Sequence, residues 1–170
     1  MGADDGRPAD DDPMAVLGRR VAAGETVEVA SLDDPLDPFA VGGFDQTAIG
    51  IVWGTVAVDL LTAHLDVDER HHQPYGIVHG GVWCSMIESM ASMAAALRVA
   101  PEGRLCVGVS NATDFLRAHR RGRIEGVASP IHVGRLQQLW QVVLRRAQDD
   151  KPVARGQVRL QNVAVSQLGS

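Results

Sequence analysis

The chain has 170 residues, 45% of them hydrophobic and 4% aromatic, with a formal net charge of −5. That length suits one domain with a real core. Five aspartates against one arginine in residues 1–12 leave the remainder close to neutral, which excludes an electrostatic case for nucleic acid. With no basic-then-apolar leader, no bilayer-length apolar run and two cysteines (Cys84, Cys106) outside any ligand or disulfide spacing, we expect a cytoplasmic chain without membrane contact, disulfide or metal.

Residues 1–12 are Gly, Ala, Pro and Asp, a composition that buries too little to order itself, so a disordered acidic tail is expected. Residues 13–46 read as a helical and looped extension, with a short helix from Met14 to Ala23, a turn at Ser31 to Pro35, and a helical turn or loop from Asp37 onto Gly42 and Gly43. From Thr47 the texture becomes β-branched and apolar, predicting strands over 47–58 and 60–67. A polar connection over 68–76 leads into one long helix beginning at Gly80. Pro101-Glu102-Gly103 marks a turn, and four further strands follow at 105–116, 122–132, 136–146 and 153–164. Residues 166–170 form a short tail. Two strands, one helix and four strands at hairpin spacing make an α+β domain over 47–165, with a mainly antiparallel sheet curved around the helix.

That helix is the centre of the reading. From Gly80 to Leu97 its one charged side chain is Glu88, set among Met, Ala, Ile, Leu and Trp. Ser85, Glu88, Ser89 and Ser92 recur at three- and four-residue spacing and fall in one stripe, so a buried helix with a single polar seam is expected. Gly80 and Gly81 let a ligand approach the backbone, and the first turn offers unpaired N–H groups at the positive end of the dipole. N–H donors at the start and a carboxylate about two turns further in describe an active site built on one helix.

Gln73-Pro74-Tyr75-Gly76-Ile77-Val78-His79-Gly80-Gly81, followed by Glu88 and Ser92, resembles the signature of PaaI-like hotdog-fold acyl-CoA thioesterases. The branch it resembles most contains the menaquinone-pathway dihydroxynaphthoyl-CoA thioesterase and actinobacterial relatives. The likeness spans roughly residues 36–165 and continues through Val107-Gly108, Gly122-Arg123-Ile124, Pro130 to Gly134, Gln138 to Gln141 and Gly156 to Asn162. The resemblance implies that Glu88 attacks the thioester or activates water, that the Gly80 N–H polarises the carbonyl, that Gln73 and His79 orient it, and that Ser92 lies beside Glu88 or the water. Gly81, Val82, Asp114, Phe115, Gly134 and Arg135 are expected at the substrate, and Trp83 and Met86, which read as core residues first, at the border of an acyl pocket. No cofactor is implied beyond the coenzyme A of the substrate. The site would lie between subunits, with Glu88 facing Gln73 and His79 of the partner in a homodimer, paired into a homotetramer. In the menaquinone branch an Asn-His pair lines the site from the strand after the helix. The corresponding Asp114-Phe115 here suits a different acyl group, aromatic or medium-chain.

Other readings stay beside this one. A non-catalytic acyl-CoA binder and a hotdog dehydratase or hydratase share the fold. His79 can simply orient the helix start, and Ser92 can return a hydrogen bond to its own helix. His71 and His72, in a polar loop without partner ligands, read as solvated. Arg117, Arg120, Arg121 and Arg123 read as a solvated face, some of them or Arg135 meeting CoA phosphates. Trp140 reads as a sheet residue.

Overall fold

The computed structural model describes residues 12–32, 38–39 and 43–167. The expected tail up to residue 11, most of the turn at 31–35, Asp37 and Gly42, and the last three residues lie outside the described residues.

Helix α1 (Pro13–Ala22) forms because Asp12 caps it: its carboxylate accepts from the N–H groups of Met14 and Ala15 at 3.3 and 3.2 Å, with Pro13 in the first turn. Gly18 lets α1 lie against the end of the long helix. A Cβ there would sit 2.4 Å from the Leu97 carbonyl oxygen. A two-residue strand β1 (Val27–Glu28) follows, which the sequence reading does not contain.

The predicted strand over 47–58 is corrected at its front. Phe44–Ile49 is a π-helical turn. The Asp45 carbonyl accepts from both the Gly50 and Ile51 N–H groups at 2.9 Å, and Gly50, at φ 85°, ends it. Strands β2 (Val52–Ala57) and β3 (Leu60–Val67) then form a hairpin. The long helix α2 (Gly80–Val99) is followed by β4 (Arg104–Phe115), β5 (Gly122–Val133), β6 (Gln137–Arg146) and β7 (Pro152–Ala164).

The seven strands make one sheet in the order β1-β2-β3-β5-β6-β7-β4, antiparallel at every pairing. The chain crosses from β3 over α2 to the far edge, so β4 is an edge strand. The sheet curls around α2 as the hotdog fold requires. Its inner face is thinned where the helix is thickest: Gly126 sits under Met90 and Gly156 under Ile87, where added Cβ atoms would lie 2.5 and 2.9 Å from side-chain atoms. Val82, Trp83, Met86, Ile87, Met90, Ala91, Ala94, Ala95 and Leu97 are the buried side of α2. The helix is not covered all round. Cys84, Ser85, Glu88, Ser89, Ser92, Met93 and Ala96 form a half-buried strip that its own sheet leaves open.

Trp140 is a sheet residue tied into a buried polar network. Its indole N–H donates to Gln138 Oε1 at 2.9 Å, and the Gln138 amide donates to Asn162 Oδ1 and the Ala95 carbonyl at 2.9 and 3.1 Å. Asn162 in turn holds the Gly134 carbonyl at 2.9 Å, fixing the β5–β6 turn. Among the described residues no helix is long and apolar enough to cross a membrane.

Candidate active site

Glu88 lies on the open strip of α2, facing β4. Its Oε1 accepts from the Ser92 hydroxyl at 3.2 Å and its Oε2 from the Asn111 amide at 2.9 Å. The Ser92 hydroxyl thus goes to the carboxylate one turn back rather than to a helix carbonyl. Ser85 makes the back-bond instead, to the Gly81 carbonyl at 2.8 Å, while Ser89 turns to the Asp45 carboxylate. The single seam of the sequence reading is therefore three separate interactions.

Strand β4 passes close under the carboxylate because Gly108 has no side chain. A Cβ there would lie 2.6 Å from Glu88 Oε1. Cys106, on the same face, donates weakly to the Ser92 carbonyl at 3.5 Å. Burial first, and then the Glu88 charge, push its thiol up to about 11, so it stays protonated near neutrality. A carboxylate offers about four lone-pair positions. Ser92 and Asn111 use two of them, which leaves capacity for a water or a reacting carbon.

At the start of α2, His79 is the N-cap. Its Nδ1 accepts from the Gly81 N–H at 2.9 Å and its carbonyl from Val82 at 3.0 Å. Among the described residues the Gly80 N–H has no acceptor, at the positive end of a 20-residue helix. The two glycines make room for the protein's own rings. A Cβ on Gly80 would meet the Phe115 ring at 2.8 Å, and one on Gly81 would meet the His79 ring at 2.9 Å. Gln73, Gly80, Trp83, Phe115 and His119 line a groove of about 360 Å³. His119 is buried there, and burial pushes its imidazole below the ordinary value.

The other sequence candidates divide. Val82 is buried, Gly81 is exposed at the cap, and Met86 is fully enclosed in the core. Asp114 points away from the helix: it pairs with Arg155 at 3.2 Å, and both side chains line a pocket on the outer face of the sheet. Gly134 and Arg135 sit at the far end of the sheet from the groove, where Arg104 donates to the Arg135 carbonyl at 2.8 Å. Glu88 and Ser92 are thus one cluster and Gln73, Gly80 and Phe115 another, joined by β4.

One expectation is corrected. His71 is 2% exposed rather than solvated: its ring closes a capping box with Asp68 and binds the Ile49 carbonyl at 2.8 Å. His72 binds the Arg120 carbonyl at 2.6 Å. The basic cluster is an exposed face, as expected, and each member also has a partner within the chain: Arg117 the Pro152 carbonyl, Arg120 the Gly76 carbonyl, Arg121 Glu69 and Arg123 Asp66. Among the described residues no group of three or more His, Cys, Asp or Glu side chains could hold a metal. Asn111 and Gly108 are contact residues of Glu88 that the sequence reading does not single out.

A carboxylate with open lone pairs on a sheet-wrapped helix, and a free N–H donor at that helix's start, are groups suited to hydrolysis of a thioester, carried here on the curved sheet and central helix of the hotdog fold. The Thioesterase superfamily matches residues 75–153. The chain is 46% identical over 135 residues to the Mycobacterium tuberculosis protein named "Putative esterase Rv1847", covering 78% of this chain and 95% of that one. The solved structure of that protein superposes with a TM-score of 0.68, covering 71% of this chain and 97% of the other. The "Proofreading thioesterase EntH" of Cronobacter sakazakii is 38% identical over 96 residues, 56% of this chain and 69% of that protein. The thioesterase HI1161 of Haemophilus influenzae is 30% identical, with a TM-score of 0.67 over 71% of this chain and 83% of that one. The chain belongs to the PaaI-like hotdog thioesterases of the thioesterase superfamily.

Proposed function

We propose that the protein hydrolyses an acyl-CoA thioester, with an aromatic or medium-chain acyl group, to the free acid and coenzyme A. The observation that carries this reading is the Glu88 carboxylate, held by Ser92 and Asn111 on the open strip of α2, in a chain that also offers an unpaired Gly80 N–H at the start of that helix. The N–H polarises the thioester carbonyl. Glu88 takes a proton from water as the water adds to the carbonyl carbon, or adds to that carbon itself and is released by water. In both routes the C–S bond breaks and the thiol leaves with a proton. Water is the one co-reactant, and a cytoplasmic location fits a CoA substrate. The Phe115 ring supplies an apolar wall without a hydrogen-bond donor, which suits an unsubstituted ring or an alkyl chain.

Two copies of the chain complete the site, with Gln73, His79 and the Gly80 N–H of one facing Glu88 of the other, because the eight residues between Gly80 and Glu88 on one helix span about 12 Å, too far for both to reach one carbonyl. Supporting this, β4 is a 12-residue edge strand whose Val109 and Phe115 are 54% and 58% exposed. It adjoins the uncovered strip of α2, and an edge of that length calls for a partner. Pairing of such dimers into a tetramer extends the same reading. Arg135, which has no side-chain partner among the described residues, is available to the CoA phosphates of the neighbouring site.

The test is thiol release across a panel of aromatic and straight-chain acyl-CoAs. Free thiol and free acid in equal amounts support hydrolysis. Tight binding without thiol release would make the protein an acyl-CoA binder, and an enoyl absorbance change without thiol would make it a dehydratase.

A further inference from the structure

Strand β4 changes phase in its middle. Cys106 and Gly108, at even positions, face α2: one donates to the Ser92 carbonyl and the other lies against Glu88. Beyond them the inward residues are odd-numbered. Asn111 reaches Glu88, Thr113 lies against Gly156, and Phe115 covers Gly80. The switch is a β-bulge at Val109, where the register with β7 slips between Gly108 and Ser110. Bulges of this kind re-aim side chains. Without it, Ser110 and Ala112 would face the helix and Glu88 would have no amide beside it.

The amide delivered by the bulge is fixed at both ends. Asn111 Nδ2 donates to Glu88 Oε2 at 2.9 Å and to the Cys84 carbonyl at 3.1 Å, while its Oδ1 accepts from the Thr113 hydroxyl at 2.7 Å. Turning the amide over would set its oxygen against two acceptors, so one orientation is specified. We propose that Asn111, braced by Thr113 and brought inward by the Val109 bulge, is the positioning residue of Glu88 and sets the direction of the carboxylate's free lone pairs. It rests on the hydrolase reading above. Ser92 is on the same helix as Glu88 and moves with it; Asn111 ties the carboxylate to the sheet. The other titratable groups about the carboxylate are, within the chain, Cys106 on β4, pushed up to about 11 by burial and then by Glu88, Cys84 one turn earlier on α2, and Asp45 of the π-helical turn, bound to the neighbouring Ser89, and, in the proposed two-copy site, His79 of the partner subunit.

Asn111 is exposed in this chain, so its variants keep the fold. Asn111→Ala lowers kcat by about 10- to 100-fold with KM little changed, and Thr113→Val lowers it less, as expected for loss of an orienting contact. Asn111→Asp sets a second carboxylate against the first. The pair then holds a proton to higher pH, and the acid limb of the kcat/KM profile moves up by about one unit or more. If Glu88→Gln abolishes hydrolysis while Asn111→Ala keeps the wild-type kcat and Asn111→Asp the wild-type acid limb, the proposal is overturned and the hydrolase reading stands. A wild-type protein that releases no thiol sinks the hydrolase reading instead. In that event the Glu88 carboxyl titration, followed by 13C NMR, decides the positioning claim: it moves up in Asn111→Asp, and an unmoved midpoint overturns the proposal with or without turnover.

Discussion

Glu88 works beside a residue that is functional by what it lacks. Gly108 has no side chain, and any Cβ there would overlap Glu88 Oε1 at 2.6 Å. Gly108→Ala therefore forces the carboxylate off its contacts with Ser92 and Asn111. A displacement of about 1 Å at a reacting group costs about 100-fold in rate, so kcat is expected to fall by that order while the thermal midpoint stays near wild type. Unchanged turnover would mean that the carboxylate adapts freely. The His-Gly-Gly start and the carboxylate beyond it were legible in the sequence, because spacing along one helix survives folding. Asn111 and Gly108 were not. A lone Asn or Gly in a strand carries no pattern, and only the bulge and the β4–α2 contact give it a partner. Asp114 was misplaced for the same reason: after the bulge its side chain turns outward to Arg155.

At the scale of elements, α2 was legible from composition and the strands from alternation, since inward and outward residues keep their period of two. The front of β2 was not. Thr47, Ala48 and Ile49 have strand texture, but Asp45 and Gly50 close a π-helical turn around them, and local propensity yields to that hydrogen bonding. The sheet fits α2 through its small residues. A Cβ on Gly156 would meet Thr113 Oγ1 at 2.8 Å, Ile87 Cγ2 at 2.9 Å and the Ala112 carbonyl oxygen at 3.1 Å. The last is backbone and cannot rotate away. Gly156→Ala is expected to destabilise the fold by about 1–3 kcal/mol through overpacking, read in urea unfolding. It should also disturb Thr113, the brace of Asn111. A midpoint equal to wild type would show that β7 and α2 part without strain.

For the whole molecule, the sequence implied a buried helix with a single polar seam, and one chain covers it only in part. The strip from Cys84 to Ala96 and the free edge of β4 stay open together, so a second copy is the economical cover. If each site takes Gln73 from one chain and Glu88 from the other, subunits carrying Gln73→Ala and Glu88→Gln complement each other when mixed. Random exchange makes half the dimers mixed, each with one intact site, and restores about a quarter of wild-type activity. No recovery would place both residues in one chain's site. Beneath that arrangement stands the claim that Glu88 carries the chemistry. The most direct measurement is the turnover of Glu88→Gln beside wild type, by thiol release on the best substrate of the panel. A fall in kcat of about two to four orders of magnitude, with the fold intact, is the predicted result. A variant that turns over within about threefold of wild type, a difference under 1 kcal/mol in the barrier, would contradict it.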